Sequence, residues 1–172
     1  GMEAGAAFRL EAHDTLALMA HRGLSPAFVR QVALMPLADS LSARAVDDRA
    51  PHVRAVDAYP DGALKAALQA EGLRMVVSVP LVAKDAVLGT LNLATRAPRD
   101  IAPEEMALLA TIGQQTGVAV ENARLYEQAE VAAAEAERIR LARDLHDAVS
   151  QTLFSASLIA DVLPRLWARD PE

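Results

Sequence analysis

The sequence lacks cysteine, has few aromatic residues and contains no long apolar run. The absence of cysteine among its 172 residues excludes disulfides, thiolate metal sites and a thioether-linked chromophore. No apolar run approaches about 18 residues, so we expect no transmembrane helix within the chain. Because only 3% of the residues are aromatic, the core must be built from Ala, Val, Leu and Met. The absence of cysteine fits a cytoplasmic setting.

The overall charge and hydropathy indicate a folded, acidic chain. A hydrophobic fraction of 52% is sufficient for a core, and the length allows one domain with an extension or two small domains. The 17 Lys and Arg residues are outnumbered by 23 Asp and Glu residues, so nothing favours nucleic-acid binding. No signal peptide is visible, and Gly1-Met2 resembles a tag remnant ahead of an excised fragment. A membrane span upstream in the parent protein is compatible with this beginning.

Five segments have the alternating or β-branched pattern of strands. They are residues 6–10, 15–21, 51–57, 74–83 and 87–95. The first two flank a short turn, and the last two flank Lys84-Asp85. Both pairs therefore predict antiparallel hairpins.

Helical segments lie between and after these strands. Ser25 as N-cap and Pro26 at the first helical position predict a helix that continues to about Met35. Residues 61–70 predict a second short helix, and residues 37–50 are predicted to be irregular. The resulting order of elements is an α+β plan.

A helical period begins at Pro103 and continues to about residue 163 without another proline. Such a helix is too long for a compact domain of this size, so we expect it to leave the domain and pack against something. Gly113 and Gly117 lie four residues apart, which permits a close approach to the sheet or to another helix.

The last part of this helix carries two apolar stripes. The first stripe comprises Leu145, Val149, Thr152, Ala156, Ile159 and Leu163. The second comprises Phe154, Leu158 and Val162. The heptad spacing of the first stripe predicts packing of two copies, and a helix that is apolar on two faces is usually buried on both, as in a four-helix bundle. We therefore expect a homodimer through the C-terminal helix.

A charged window within this helix carries an imidazole, a carboxylate and an amide. It reads Glu137-Arg-Ile-Arg-Leu-Ala-Arg-Asp-Leu-His146-Asp147-Ala-Val-Ser-Gln151-Thr-Leu153 and contains no Gly or Pro. Asp147 and Gln151 are i and i+4, so they share one face of the helix. A neutral imidazole is a good nucleophile near physiological pH when an acceptor holds its second nitrogen.

This window resembles the phospho-acceptor box of two-component sensor histidine kinases, in the branch that phosphorylates helix-turn-helix response regulators. The resemblance implies that His146 accepts phosphate from ATP and that Asp147 orients the ring and helps take its proton. It also implies that Gln151 positions a water that hydrolyses the phospho-aspartate of the regulator. The implied partners are a second copy of the chain, a response-regulator receiver domain and the ATP-binding kinase domain of the parent protein. The chain shows no nucleotide-binding motif, so ATP and Mg²⁺ are expected on that kinase domain, and this fragment is expected to be inactive alone.

The preceding residues resemble a GAF domain. The resemblance rests on Arg22-Gly23-Leu24, Ser78-Val79-Pro80-Leu81, Val87-Leu88-Gly89-Thr90-Leu91 and the segment from Glu105 to Gln128. Within that segment, the tail from Gly117 to Glu127 resembles the end of bacterial sensor GAF domains. It implies a GAF-like antiparallel sheet flanked by helices and followed by a long C-terminal dimerisation helix.

The two resemblances together predict three parts. Residues 3–128 are expected to be a GAF sensor domain, residues 129–137 a helical signalling linker, and residues 138–172 the first helix of a truncated dimerisation and phospho-acceptor domain. GAF domains usually begin with a helix that packs beside the last one, whereas this chain starts at the first strand. Apolar surface on the helix over 106–125 is therefore expected to be uncovered or covered by a partner.

The sequence leaves the ligand of the GAF domain unknown. Arg74 and Asn92 lie in apolar strands and are weak candidates for ligand contact, but an edge or outward-facing position is expected for both. His52 is a third weak candidate. Like His13 and His21, it is expected at the surface or in a turn rather than on a haem. No metal-ligand cluster is visible.

Two alternatives to phosphotransfer follow from the same residues. The GAF domain could bind a small molecule or dimerise without any phosphotransfer, or the chain could be a phosphatase-biased regulator in which Gln151 matters more than His146. The alternative interpretation of His146 is that it is a surface histidine on a charged helix, without a role in phosphotransfer. A solvated helix face explains Arg138, Arg140 and Arg143 as well as partner contact does.

Overall fold

The computed structural model describes residues 2–38 and 40–167, with side chains as far as residue 160. The chain divides into two compact units, Gly1–Ala123 and Arg124–Glu172. The first unit holds an antiparallel sheet with short helices and the beginning of a long helix. The second unit contains the rest of that helix.

The described residues include six strands and four α-helices. The strands are β1 (Ala4–Glu11), β2 (Thr15–Arg22), β3 (Leu34–Pro36), β4 (His52–Ala55), β5 (Met75–Ala83) and β6 (Ala86–Thr95). The helices are α1 (Pro26–Val32), α2 (Leu41–Asp48), α3 (Ala63–Ala70) and α4 (Pro103–Trp167), with a 3₁₀ turn over Val56–Ala58. The strands form one sheet in the order β3-β2-β1-β6-β5-β4, and every neighbouring pair is antiparallel.

Both predicted hairpins are confirmed. The turn between β1 and β2 places His13 and Asp14 at φ values of 63° and 50°, and the turn between β5 and β6 places Lys84 at 53°. Ala83 pairs with Ala86, so Lys84 and Asp85 form the tight connection that the sequence predicts.

The predicted start of α1 is correct, but its predicted end is wrong. The Ser25 side chain caps the helix, with its Oγ 3.2 Å from the backbone N of Phe28. The helix ends at Val32, and Leu34–Pro36 forms the short edge strand β3 against β2. Proline disfavours helical geometry in the residue before it, and pairing with the edge of β2 gives this segment backbone partners.

The prediction of an irregular stretch over residues 37–50 is also wrong. Residues Leu41–Asp48 form α2, capped by Ser40, whose Oγ lies 3.1 Å from the backbone N of Ala43. The helix buries Leu41, Ser42 and Ala45. Ser42 is polar and Ala45 is small, so the buried face of α2 lacks the periodic large apolar residues that would predict a helix.

Two further predicted boundaries differ from the structure. The strand predicted over 51–57 covers only His52–Ala55, after which Val56 is buried in a 3₁₀ turn. Helix α4 begins at Pro103 as predicted but continues past the predicted end, through Pro164 to Trp167. A proline removes one hydrogen bond and crowds the preceding turn, a penalty that a long helix can absorb.

The sheet packs a hydrophobic cluster on each face. Side chains of α1, α2 and α3, including Phe28, Leu41 and Leu68, pack with Phe8 and Val76 on one face. On the other face, Val77 and Val79 of β5 pack with Leu109 and Met106 of α4. Successive residues of β5 thus point to opposite faces, as strand geometry requires.

The predicted close approach at Gly113 is confirmed, and the partner is the sheet. A β-carbon built on Gly113 would lie 2.5 Å from the carbonyl oxygen of Pro80 in β5. The beginning of α4 therefore rests directly on the strand. Other apolar side chains of this helix segment are exposed, as expected for the 106–125 region: Leu108, Ile112, Val118 and Leu125. Within the described residues, no helix has the length and apolar character needed to cross a bilayer.

Candidate functional site

The three residues of the predicted phospho-acceptor window lie on α4 with exposed side chains. His146, Asp147 and Gln151 are each in helical backbone and in contact with solvent. Asp147 and Gln151 are about 40° apart around the helix axis, and His146 is about 100° from Asp147. Over residues 2–38 and 40–160, no side chain hydrogen-bonds to the ring, carboxylate or amide of these three residues. The ring of His146 is therefore accessible within the protomer.

A chain of charged groups precedes His146 on the same helix. Arg140 binds Glu137 with two contacts, Nε to Oε2 at 2.9 Å and Nη2 to Oε1 at 2.7 Å. Its Nη1 lies 3.6 Å from Oδ2 of Asp144. The hydrogen bond from Arg140 lowers the pKa of the Glu137 carboxyl and raises the pKa of the Arg140 guanidinium. These exposed pairs orient one another but add little stability, because water and salt screen them.

The apolar stripes of the second unit are uncovered in the protomer. Within the first stripe, Leu145, Val149 and Ile159 are 69%, 50% and 60% exposed, and Phe154 of the second stripe is 69% exposed. The stripe positions Val162 and Leu163 lie outside the described side chains. A helix with this much apolar surface needs a partner, because an isolated helix is marginal in water.

A second feature, which we call the GAF cavity, lies in the first unit between the sheet and α1–α3. It has a volume of about 60 Å³ and is lined mainly by apolar side chains such as Phe8, Phe28 and Leu68. Its polar lining groups are Ser40, Ser42, Asn92 and the phenol of Tyr59, and no described lining residue is charged.

Ser42, Ser78, Thr90 and Asn92 form a polar cluster, of which Ser42 and Asn92 line the cavity. The Oγ of Ser42 lies 3.2 Å from Ser78 Oγ, 3.3 Å from Thr90 Oγ1 and 3.1 Å from Asn92 Nδ2. Ser42, Ser78 and Thr90 are almost completely buried, at 2%, 0% and 0% exposure. Hydrogen bonding within the cluster offsets the unfavourable burial of these groups.

The sequence prediction missed three members of this cluster and misplaced the fourth. Asn92 faces the cavity, so the expected edge or outward position is wrong for it. The missed residues are Ser42, Ser78 and Thr90. Thr90 and Asn92 lie two residues apart in a mainly apolar strand, and this spacing was the available signal that both side chains share a face.

The other weak candidates lie away from the GAF cavity. Arg74 is exposed, as expected. His52 is partly buried, and its Nε2 lies 2.7 Å from Oδ2 of Asp48 on α2. His13 and His21 are exposed, in a turn and a strand end respectively. Across the described residues, no three His, Cys, Asp or Glu side chains gather in a way that would hold a metal.

Two family models match different parts of this chain. The model described as GAF domain matches residues 1–121. The chain belongs to the GAF domain family. The model described as histidine kinase matches residues 137–172, which include His146, Asp147 and Gln151. The predicted resemblance to GAF-domain sensor histidine kinases is thus confirmed.

A curated relative of this GAF-domain chain is the sensor histidine kinase YhcY of Bacillus subtilis. The two are 41% identical over 90 residues, which is 52% of this chain and 24% of the relative. The chain therefore spans about a quarter of the length of that relative.

Two solved GAF domains have a fold similar to that of this chain. The GAF domain of a two-component sensor histidine kinase from Bacillus halodurans is 21% identical, with a TM-score of 0.60, over 74% of this chain and 86% of that one. The GAF-B domain of DevS from Mycobacterium smegmatis is 24% identical, with a TM-score of 0.58, over the same shares, 74% and 86%. At these identities the likeness concerns the fold, and it confirms the predicted α+β, GAF-like architecture.

Proposed function

We propose that the chain is the sensory and phospho-acceptor part of a two-component sensor histidine kinase, with His146 as the phosphorylated residue. The observation that carries this proposal is an exposed His146–Asp147 pair on a continuous helix, inside the segment that matches the histidine-kinase family model. An exposed ring is required because the nucleophile must reach a nucleotide held by another domain.

The proposed reaction moves one phosphoryl group from ATP to the imidazole. One ring nitrogen attacks the γ-phosphorus, a P–N bond forms, and the bond from that phosphorus to the bridging oxygen breaks to release ADP. The carboxylate of Asp147 receives the proton that the second ring nitrogen loses. The phosphoryl group then passes to an aspartate of a response-regulator receiver domain. Gln151, one helical turn beyond Asp147, positions a water that hydrolyses the phospho-aspartate of the regulator and so removes the phosphoryl group.

The partners follow from what the chain exposes and what its motifs lack. The uncovered stripe through Leu145 and Val149 is the proposed contact between two protomers. The kinase domain that binds ATP and Mg²⁺ is proposed to lie elsewhere in the parent protein, because this sequence has no nucleotide-binding motif. This chain is therefore proposed to be a substrate without activity of its own. A cytoplasmic location is proposed because its phosphate donor is ATP.

The proposed division of labour assigns sensing to residues 3–128, transmission to residues 129–137 and phospho-acceptance to residues 138–172. The side chains of residues 129–137 are exposed and include few large apolar groups, so their packing against a second copy is weakly specified. A segment of this kind can change register when the sensor changes state, which is the proposed route from the GAF domain to His146.

Autophosphorylation of the parent kinase tests the proposal. Radiolabelled ATP should label the wild-type protein and a His21→Gln control, in which an exposed histidine of β2 is changed, but not His146→Gln. Equal label on His146→Gln and wild type would overturn the assignment. Absence of label from every form, with nucleotide shown to be bound, would favour a GAF module that works without phosphotransfer.

A further inference from the structure

The GAF cavity is uncharged throughout its described lining. Among the described residues, no Arg, Lys, His, Asp or Glu lines it. Burying an ionised ligand group without a counter-charge is strongly unfavourable, because its hydration is lost and not replaced. The lining therefore disfavours nucleotides and carboxylates, and it provides no histidine to hold a haem.

The side-chain amide of Asn92, which lines this cavity, has hydrogen-bond donor and acceptor sites that the polar cluster does not use. A hydroxyl group offers one donor and two acceptor sites, yet four contacts converge on Ser42 Oγ, from Ser78, Thr90 and both amide atoms of Asn92. The two contacts from Asn92 are alternatives, at 3.3 Å for Oδ1 and 3.1 Å for Nδ2. Whichever one forms, the primary amide keeps donor and acceptor sites that no described residue uses.

The size of the cavity bounds the group that it can hold. Its volume of about 60 Å³ lies between the roughly 10–15 Å³ needed for one water and the roughly 150 Å³ of an engineered cavity that binds benzene. An open cleft of about 910 Å³ lies next to the cavity beside α3, and Val32, Tyr59 and Leu64 line both. The volume of the cavity itself therefore limits the size of the group that can reach Asn92.

We propose that this cavity binds an uncharged, mainly apolar small molecule through one amide or ketone group, which hydrogen-bonds to Asn92 beside Ser42. The physiological meaning of this site rests on the proposed sensory function of the GAF domain. The aliphatic walls take the apolar part of the ligand, and the amide of Asn92 supplies direction and selectivity. A charged molecule of the same shape is rejected because no described lining residue neutralises it.

Two matched probes test this selectivity on the intact chain. Propionamide and propionate have the same number of heavy atoms and similar shape, but only propionate is charged at neutral pH. Backbone amide resonances in an NMR titration should show saturable shifts of Ser42 and Asn92 with propionamide, with a dissociation constant on the order of 1–10 mM for so small a ligand. Propionate should bind at least about 10-fold more weakly.

Three variants locate the binding. Asn92→Leu keeps the approximate volume but removes the hydrogen bond, and it should weaken propionamide binding about 10-fold or more. Ala6→Val fills part of the cavity and should reduce binding while leaving the polar cluster intact. Asn122→Leu makes the same chemical change on an exposed position of α4 and should leave binding unaltered.

The result that overturns the proposal is clear for each arm. Propionate binding as tightly as propionamide, undiminished binding to Ala6→Val and Asn92→Leu, or the absence of saturable shifts at cavity residues would each refute it. Because Asn92→Leu could unfold the domain, its thermal melt is recorded, and Ala6→Val provides the independent test. Phosphorylation of His146 is measured separately, so failure of ligand binding and failure of the proposed phosphotransfer can be told apart.

Discussion

A β-carbon on Gly117 of α4 would lie 2.4 Å from the carbonyl oxygen of Val82 in β5. This distance is shorter than any real contact of a β-carbon, so the backbone of the helix rests directly on the backbone of the strand. Gly113 meets Pro80 in the same way one turn earlier. The absence of side chains at these two glycines thus allows α4 to pack directly against β5 of the GAF sheet.

The first prediction concerns the close packing of these glycines against β5. Gly117→Ala should lower the free energy of unfolding by roughly 1–3 kcal/mol, because neither the helix nor β5, which is paired on both sides, can move without disturbing its neighbours. Gly62→Ala is the matched control: its β-carbon would meet nothing within 4 Å, and its φ of 163° is extended. The control should change stability by less than about 1 kcal/mol. Equal losses in chemical denaturation would contradict the close approach.

The second prediction concerns Tyr59, which lines the GAF cavity. Burial raises the pKa of its phenol to about 12, and the charge of Arg54 opposes that shift only in part. The unfolded pKa is about 10, so the stabilising contribution is complete below that pH. It is lost as pH rises from about 10 towards 12, because the unfolded chain releases the proton first. Unfolding measured across this range should become easier in wild type, and Tyr59→Phe should remove that part of the slope. An unchanged slope in Tyr59→Phe would place the titration elsewhere.

The third prediction concerns the apolar stripe of the second unit. Val149→Asp places a carboxylate from each protomer on the proposed shared seam, so the dimer dissociation constant should rise at least about 10-fold. Ala136→Asp is the control, because residue 136 lies about half a turn from the stripe through Leu145. Sedimentation equilibrium distinguishes the two. A dimer that is equally stable in both variants would show that the seam is not the contact.

The fourth prediction separates the two proposed activities of the window. Gln151→Ala removes the water-positioning amide, so dephosphorylation of the regulator by the parent protein should slow about 10-fold or more. Phosphorylation of His146 should stay within about 2-fold of wild type, since the amide does not take part in that transfer. Gln128→Ala, an exposed glutamine earlier on α4, is the control. Loss of both activities in Gln151→Ala, with the helix intact, would argue for a structural role of the amide.

Features that depend on neighbouring residues could be predicted from the sequence. The β5–β6 hairpin follows from the alternation around Lys84-Asp85, and the start of α1 follows from the pair Ser25-Pro26, because turns and caps are local. The exposed, helical placement of His146 follows from the unbroken charged window.

Features that depend on distant partners could not be predicted. Residues 34–36 form a strand only because the edge of β2 offers them backbone hydrogen bonds. Helix α2 buries Ser42, a polar residue whose burial is compensated by Ser78, Thr90 and Asn92 on two strands far away in the sequence. No local pattern reports such a cluster, since the register of β5 and β6 brings Ser78, Thr90 and Asn92 together and the packing of α2 on the sheet adds Ser42.

The most direct test of the central claim is to locate the phosphoryl group. The chain is incubated with the separately expressed ATP-binding kinase domain and ATP, digested with trypsin at neutral pH, and analysed by mass spectrometry. We predict phosphate on the peptide that follows Arg143, in which His146 is the sole histidine, and loss of that phosphate in mild acid, as for a P–N bond. Phosphate on another residue, or on the same peptide of His146→Gln, would contradict the account.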